Sequence, residues 1–200
     1  MTKYSQNREE EVIMDKVRHL PTGTVFDIGA HDGKTNSNSL ALIERGWSAY
    51  LIEPSPSAFL KLLERHAANP KVTLLNAAVG PDTRITKFYE YLDDQCSSTV
   101  KENAAKWDGV EGRKMREYWV PQVTVSTILA QLGGGADVLS IDAEGSSVEI
   151  LRQCPIGSWA PLIICVEHDG RALEMAAWAE ERQYEVVHLN AENVILWRRR

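Results

Sequence analysis

Several short apolar runs in this sequence end in side chains able to bind ligands or move protons. Val25 and Phe26 lead into Asp27-Ile28-Gly29, residues 49–52 into Glu53, and residues 72–75 into Asn76. Further on, residues 138–141 lead into Asp142-Ala143-Glu144-Gly145 and residues 162–166 into Glu167-His168. Carboxylates accept hydrogen bonds when charged and take up protons when their pKa is suitable, and histidine titrates near neutral pH. A single acid after a strand is often only a helix cap. Several acids gathered at one edge of a sheet repel one another and lose solvation, which points to a site rather than to a stabilising device. If the runs are parallel strands, all of these groups lie at carboxyl ends, where open α/β sheets bind ligands.

Glycines at 29 and 33 remove Cβ atoms that would keep a ligand off the backbone, and the amides opening the following helix have no intrahelical partners. Glu53 ends the second run, where a nucleotide-binding fold sets an acid to accept hydrogen bonds from both ribose hydroxyls. A dinucleotide fold uses about the spacing G-x-G-x-x-G, which seats a pyrophosphate on the helix N-terminus. Here Asp27, Gly29 and Gly33 give D-x-G-x-x-x-G. That fits an adenosine ligand without phosphate, and S-adenosylmethionine is the expected one. A nicotinamide-dependent oxidoreductase would keep Glu53 but lacks its pyrophosphate seat. The same glycines would also serve a plain tight turn between two buried elements.

The elements that must hold these groups alternate. A polar helix is expected within residues 1–20, packing through Val12, Ile13 and Val17 and ended by Pro21 and Gly23. After the first strand, residues 36–46 read as a helix terminated by Gly46, and Ser55 is an N-cap with Pro56 at the first helical position. Strand, helix, strand, helix, strand predicts a parallel sheet with right-handed crossovers. Residues 85–91 then alternate like an extra strand. Residues 94–119, rich in charge and aromatic side chains, are either a solvated surface segment or a lid insertion carrying acceptor contacts. Residues 122–125 resume the alternation, Ser126 caps a short helix, and a later helix presents Leu173, Ala176 and Ala177 on one face. Residues 185–189 and 194–197 close the chain as an antiparallel pair. Trp47, Trp178 and Trp197 are expected in the core.

Two hundred residues with 44% hydrophobic content suit one globular domain over residues 1–200. A formal net charge of -6 argues against an electrostatic grip on nucleic acid, and Arg198-Arg199-Arg200 reads as a solvated tail. Cys96, Cys154 and Cys165 have neither disulfide-framework nor zinc-knuckle spacing, and Cys165 falls in an apolar run. The N-terminus lacks a signal-peptide apolar region and no stretch approaches a membrane span, so no membrane association and a cytoplasmic location are expected. Oligomeric state is not encoded in any feature of the sequence.

The chain resembles the FkbM-type S-adenosylmethionine-dependent methyltransferases. The matching pieces are F-D-I-G-A-H-D-G at 26–33, S-N-S at 37–39, G-W at 46–47 leading to I-E-P-S-P at 52–56, and N-A-A-V-G at 76–80. Ser97-Ser98, residues 123–129 and I-D-A-E-G at 141–145 complete them, so that most of residues 24–151 are covered. The resemblance implies an α/β class I methyltransferase fold, Rossmann-like and doubly wound, with seven strands, mostly parallel and the last antiparallel. It also implies O-methylation of a hydroxyl on a small molecule or sugar. By the same resemblance Asp27, Gly29, Ala30, His31 and Gly33 line the methionine portion of the cofactor, Glu53 the ribose, and Asn76 with Ala77 the adenine.

A sulfonium gives up its methyl group readily, so the protein must chiefly hold the acceptor close and in line. A hydroxyl acceptor, small molecule or glycan, must also lose a proton. Asp142, Glu144, Glu167 and His168 are the candidate bases, while a loop histidine such as His31 is more often positional. In one arrangement a single acid or His168 acts without a metal. In the other Asp142, Glu167 and His168 hold magnesium or manganese while Glu144 takes the proton. The metal-free arrangement is the simpler, because adjacent residues at a strand end need not point the same way. A third reading, from a different class, is a cofactor-binding or partner-binding module without catalysis.

Overall fold

The computed structural model describes residues 4–91, 97–99, 101, 115–132 and 134–199. Its main sheet has seven strands: β1 (Thr24–Ile28), β2 (Ser48–Ile52), β3 (Val72–Leu75), β7 (Val138–Ile141), β8 (Ile163–Glu167), β9 (Tyr184–Leu189) and β10 (Asn193–Arg198). Their order is β3-β2-β1-β7-β8-β10-β9. All neighbours from β3 to β8 pair in parallel, and β10 runs antiparallel to both β8 and β9. The expected fold class, a class I methyltransferase-like doubly wound sheet with the last strand antiparallel, is therefore borne out.

Alternation along the strands fixes the two faces. Val25 and Val138 join a core with Ile13, Leu42, Trp47 and Leu62 of the helices α1 (Glu9–Lys16), α2 (Leu40–Glu44) and α3 (Pro56–His66) and their flanks. Phe26, Ile28, Leu139 and Ile141 join the other core, with Ile128, Leu151, Ile156 and Trp178. Those come from α4 (Val125–Leu132), α5 (Ser147–Gln153), α6 (Ile156–Trp159) and α7 (Ala172–Glu181). β1 and β7 are buried on both sides, which explains why their runs are almost continuously apolar rather than alternating in polarity. No helix among the described residues is long and apolar enough to cross a membrane.

A second sheet, of order β4-β6-β5, is formed by β4 (Ala78–Val79), β5 (Arg84–Tyr91) and β6 (Met115–Val123). The strand expected at 122–125 is thus the end of a longer one. Most of the segment 94–119 considered as a lid lies outside the described residues.

Three local expectations are corrected. Helix α2 starts at Leu40 rather than at 36, because Asn36 is left-handed (φ 55°) and the Ser37 hydroxyl accepts the Leu40 N–H at 3.0 Å. Thr124, not Ser126, caps α4, its Oγ1 accepting the Thr127 N–H at 3.0 Å. In α7 the inward side chains are Met175, Trp178 and Ala179, and Leu173 is 89% exposed; the bulk of Trp178 sets the phase of the buried stripe. By contrast Ser55 caps α3 as expected, accepting the Ala58 N–H. Trp47 and Trp178 are buried, Trp197 half-buried.

Candidate active site

Strand register places the chemistry in one row. Ile28 of β1 pairs with both Ile52 and Ile141, Ile52 pairs with Leu75, and Ile141 pairs with Val166. The next residues, Gly29, Glu53, Asn76, Asp142 and Glu167, are therefore level across five strands. The chain order reverses between β1 and β7, so this is also the switch point at which such sheets open a crevice. A cavity of about 710 Å³ lies there, within the size range of small-molecule sites.

The β1–α2 turn forms one wall. The amides of Gly29 and Ala30 both donate to the Ile52 carbonyl, at 2.9 and 3.0 Å. Gly29 has φ 86°, and a Cβ there would lie 1.7 Å from the Asp142 carbonyl oxygen. The neighbouring strand thus requires its hydrogen side chain, and Gly29 also lines the cavity. Gly33 (φ 71°) is likewise constrained by packing, since its Cβ would meet Leu62 and His66, and it does not line the cavity. Asp27, Ala30 and His31 do line it. Asp27 is buried and accepts the Ser39 hydroxyl at 2.5 Å; burial raises its pKa against the opposing bonds from Ser39 and Ser140.

Glu53 is held by two backbone donors, the N–H of Ser55 at 2.7 Å on Oε1 and the N–H of His31 at 2.9 Å on Oε2. It is 6% exposed, and burial, opposed by those amides and reinforced by Glu90 and Asp27, pushes its carboxyl up to about 7. Ile28, Ile52, Ala77, Val79 and Phe88 give the same region an apolar wall. Asn76 is not part of that wall. Its Nδ2 donates to the carbonyls of Glu53 and Pro54, tying β3 to the turn that carries Glu53.

At the other end stand Asp142, Glu144 and Glu167. Asp142 opens into the cavity, where water reaches it, but protein encloses its other sides. This desolvation, together with Glu167 and Glu144, raises its carboxyl well above the usual range. Burial, helped by Asp169, raises Glu167 as well, although the Ser147 hydroxyl donates to it at 3.1 Å. Asp142 and Glu167 adjoin and titrate as a pair. Ser147 also accepts the Ala143 N–H, and Glu144 is left-handed (φ 44°), with its carbonyl accepting from the Ser98 hydroxyl at 2.9 Å.

His168 is not brought to the cavity. Its Nδ1 accepts the Gly170 N–H at 3.0 Å, which leaves Nε2 to donate to the Asn190 carbonyl at 3.2 Å, and the ring is 6% exposed. Neither nitrogen is available to a metal beside Asp142 and Glu167, and no group of three such ligands occurs among the described residues.

Two lining residues are not among those the sequence singles out. Gln6 lines the cavity, receiving a bond from Asn36 and donating to Glu192, so the N-terminal segment bridges the mouth. Glu90, on β5, is 1% exposed and also lines the cavity. It shares the inward face of its strand with Phe88, whereas the apolar Ile85 and Tyr89 stand on the other phase, so alternation in the sequence does not single it out.

The family described as methyltransferase FkbM domain matches residues 27–186. No curated protein matches the chain by sequence. Among solved structures, precorrin-6y C5,15-methyltransferase from Geobacter metallireducens is similar, with TM-score 0.50, 12% identity and coverage of 99% of this chain and 92% of that one. Precorrin 8w decarboxylase from Methanobacterium thermoautotrophicum is similar with TM-score 0.52, 13% identity and coverage of 98% and 90%. At these identities the likeness shows the fold alone.

Proposed function

Because the chain belongs to the methyltransferase FkbM domain family, we propose that it is an S-adenosylmethionine-dependent O-methyltransferase acting on a hydroxyl of a small molecule or sugar. One observation supports this above the others: Glu53 and the Asp142–Glu167 pair occupy opposite ends of one cavity at level strand ends. The residues present fit the cofactor. Glu53 offers lone pairs beyond its two amide partners to ribose hydroxyls, and the wall from Ala77 to Val79 suits an adenine. Asp27, with the turn from Gly29 to His31, would face the methionine portion. When bound, S-adenosylmethionine supplies a methyl group on a good leaving group.

The chain's own part is positioning and proton transfer. Asp142 with Glu167 shares a raised affinity for protons, which suits a carboxylate of the pair to accept the hydroxyl proton as the acceptor oxygen bonds to the methyl carbon. Glu144, on the same loop, and Glu192, beside Glu167, are further carboxylates lining the cavity. His168 is assigned a structural role, and the reaction is written without a metal because its ring nitrogens are engaged by backbone.

Calorimetry with S-adenosylhomocysteine and with NAD, followed by methyl transfer from labelled donor to a panel of hydroxylated acceptors after exhaustive chelation, tests the proposal. Binding of S-adenosylhomocysteine but not NAD, and turnover after chelation, are expected. Turnover restored only by added metal would overturn the metal-free reaction, and cofactor binding without transfer to any acceptor would favour a non-catalytic module.

A further inference from the structure

Glu90 has no part in the reaction derived above, yet it is among the most buried acids in the described structure. Its Oε1 is held firmly, accepting from the Ser55 hydroxyl, from the Ser57 hydroxyl at 2.8 Å and from the Ser57 N–H at 3.4 Å. Its Oε2 is buried and has no donor among the described residues. A buried carboxylate oxygen without a donor is unfavourable, and an acid beside Glu53 adds repulsion. Both carboxylates hang on one residue: Ser55 donates its N–H to Glu53 and its hydroxyl to Glu90, while its oxygen accepts the Ala58 N–H. The serine is thereby fixed from the helix side, and the two acids are fixed relative to each other. Glu53 comes from the main sheet and Glu90 from the second sheet, and both line the cavity at the end away from Asp142.

We propose that Glu90 is a second ribose-binding carboxylate, its Oε2 accepting a hydrogen bond from one hydroxyl of the ribose while Glu53 accepts from the other. This inference rests on the reading of the cavity as an S-adenosylmethionine site. A vicinal diol is the ligand feature with two adjacent donors, and two acids braced on one serine match it. The acceptor is served from β7 and β8 instead. A donor supplied to Glu53 also favours its charged form, offsetting the burial that raises it.

Calorimetry on wild type, Glu90→Gln and Glu53→Gln, with S-adenosylhomocysteine and its 2′-deoxy and 3′-deoxy analogues, tests the inference, with melting curves checking the fold. Glu90→Gln should weaken S-adenosylhomocysteine binding about 10-fold to 100-fold, the usual effect of losing a charged hydrogen bond. That loss should shrink to about 3-fold or less for the one analogue lacking the hydroxyl seated on Glu90. Undiminished binding by a folded Glu90→Gln protein, or an equal loss for all three ligands, would overturn the proposal. If that variant does not fold, Glu53→Gln decides: one deoxy penalty should survive in it, and loss of both would assign the whole diol to Glu53. No binding of S-adenosylhomocysteine by wild type would instead overturn the cofactor reading, and this inference with it.

Discussion

Replacing Glu53 with glutamine removes a charge while keeping the shape of the side chain, and the unliganded protein should report that charge in the pH dependence of its stability. Burial raises this carboxyl from 4.5 to about 7 in the folded chain. Below pH 4.5 the folded and unfolded chains both hold the proton, and the group imposes no penalty. Between 4.5 and about 7 the unfolded chain has released a proton that the folded chain keeps, so stability falls as pH rises through that window; above about 7 the loss is complete. The interval corresponds to about 3 kcal/mol. Glutamine does not titrate, but its amide nitrogen must face one of the two donors, the N–H of His31 or of Ser55, which lowers stability by about 1–3 kcal/mol at any pH. The variant should therefore be the less stable protein at pH 4.5 and equal or exceed wild type by pH 8. Asp27, Asp142 and Glu167 are also raised, but they are common to both proteins and largely cancel in the difference. Urea unfolding followed by circular dichroism at pH 4.5 to 8, without ligand, measures it. A gap that stays constant across the window would refute the argument that Glu53 carries a buried charge.

Gly29→Ala should destabilise the fold by about 2–5 kcal/mol, because its Cβ would meet the Asp142 carbonyl and the backbone is left-handed there; an unchanged urea midpoint would remove the clash. Asp142→Asn should lower single-turnover methyl transfer about 100-fold or more while S-adenosylhomocysteine affinity, read by calorimetry, changes little. His168→Ala should lose about 1–3 kcal/mol of stability from its two backbone bonds, and the folded fraction should keep its turnover; a folded but inactive variant would return His168 to the chemistry. Binding of cationic S-adenosylmethionine should release a proton from Glu53 near pH 6, visible as a dependence of the calorimetric heat on buffer ionisation enthalpy, and buffer-independent heats would contradict it.

The row of strand ends was legible because it depends only on period and register. Once apolar runs are parallel and in step, Gly29, Glu53, Asp142 and Glu167 follow one position after paired isoleucines and a valine. What each side chain then faces is decided by tertiary partners that sequence spacing does not contain. Asn76 and His168 stand at the right strand ends but turn to backbone carbonyls and amides. Gly33 has a left-handed backbone, yet α3 rather than a ligand fills the space beside it. Glu90 was missed for the opposite reason. Its strand pairs with residues 115–123, far along the chain, so the sheet that aims it at the cavity is non-local.

The charges lining the cavity give the site its character. Asp27, Glu53, Glu90, Asp142, Glu144, Glu167 and Glu192 line it, and Lys61 is the one lysine or arginine among the described lining residues. Without a ligand such a group lowers its self-repulsion by holding protons, which is the direction in which burial moves Asp27, Glu53, Asp142 and Glu167. A ligand carrying a sulfonium and an ammonium reverses the balance, since positive charge favours the ionised carboxylates and hydroxyl donors satisfy the buried ones. Binding of the donor would then leave the Asp142–Glu167 pair more fully ionised and better able to accept the hydroxyl proton. In the proposed reaction, loss of the methyl group would remove the sulfonium charge and leave the acceptor proton on the pair. Both changes would weaken the attraction for the donor, so the acidity that prepares the base would also favour release of the product.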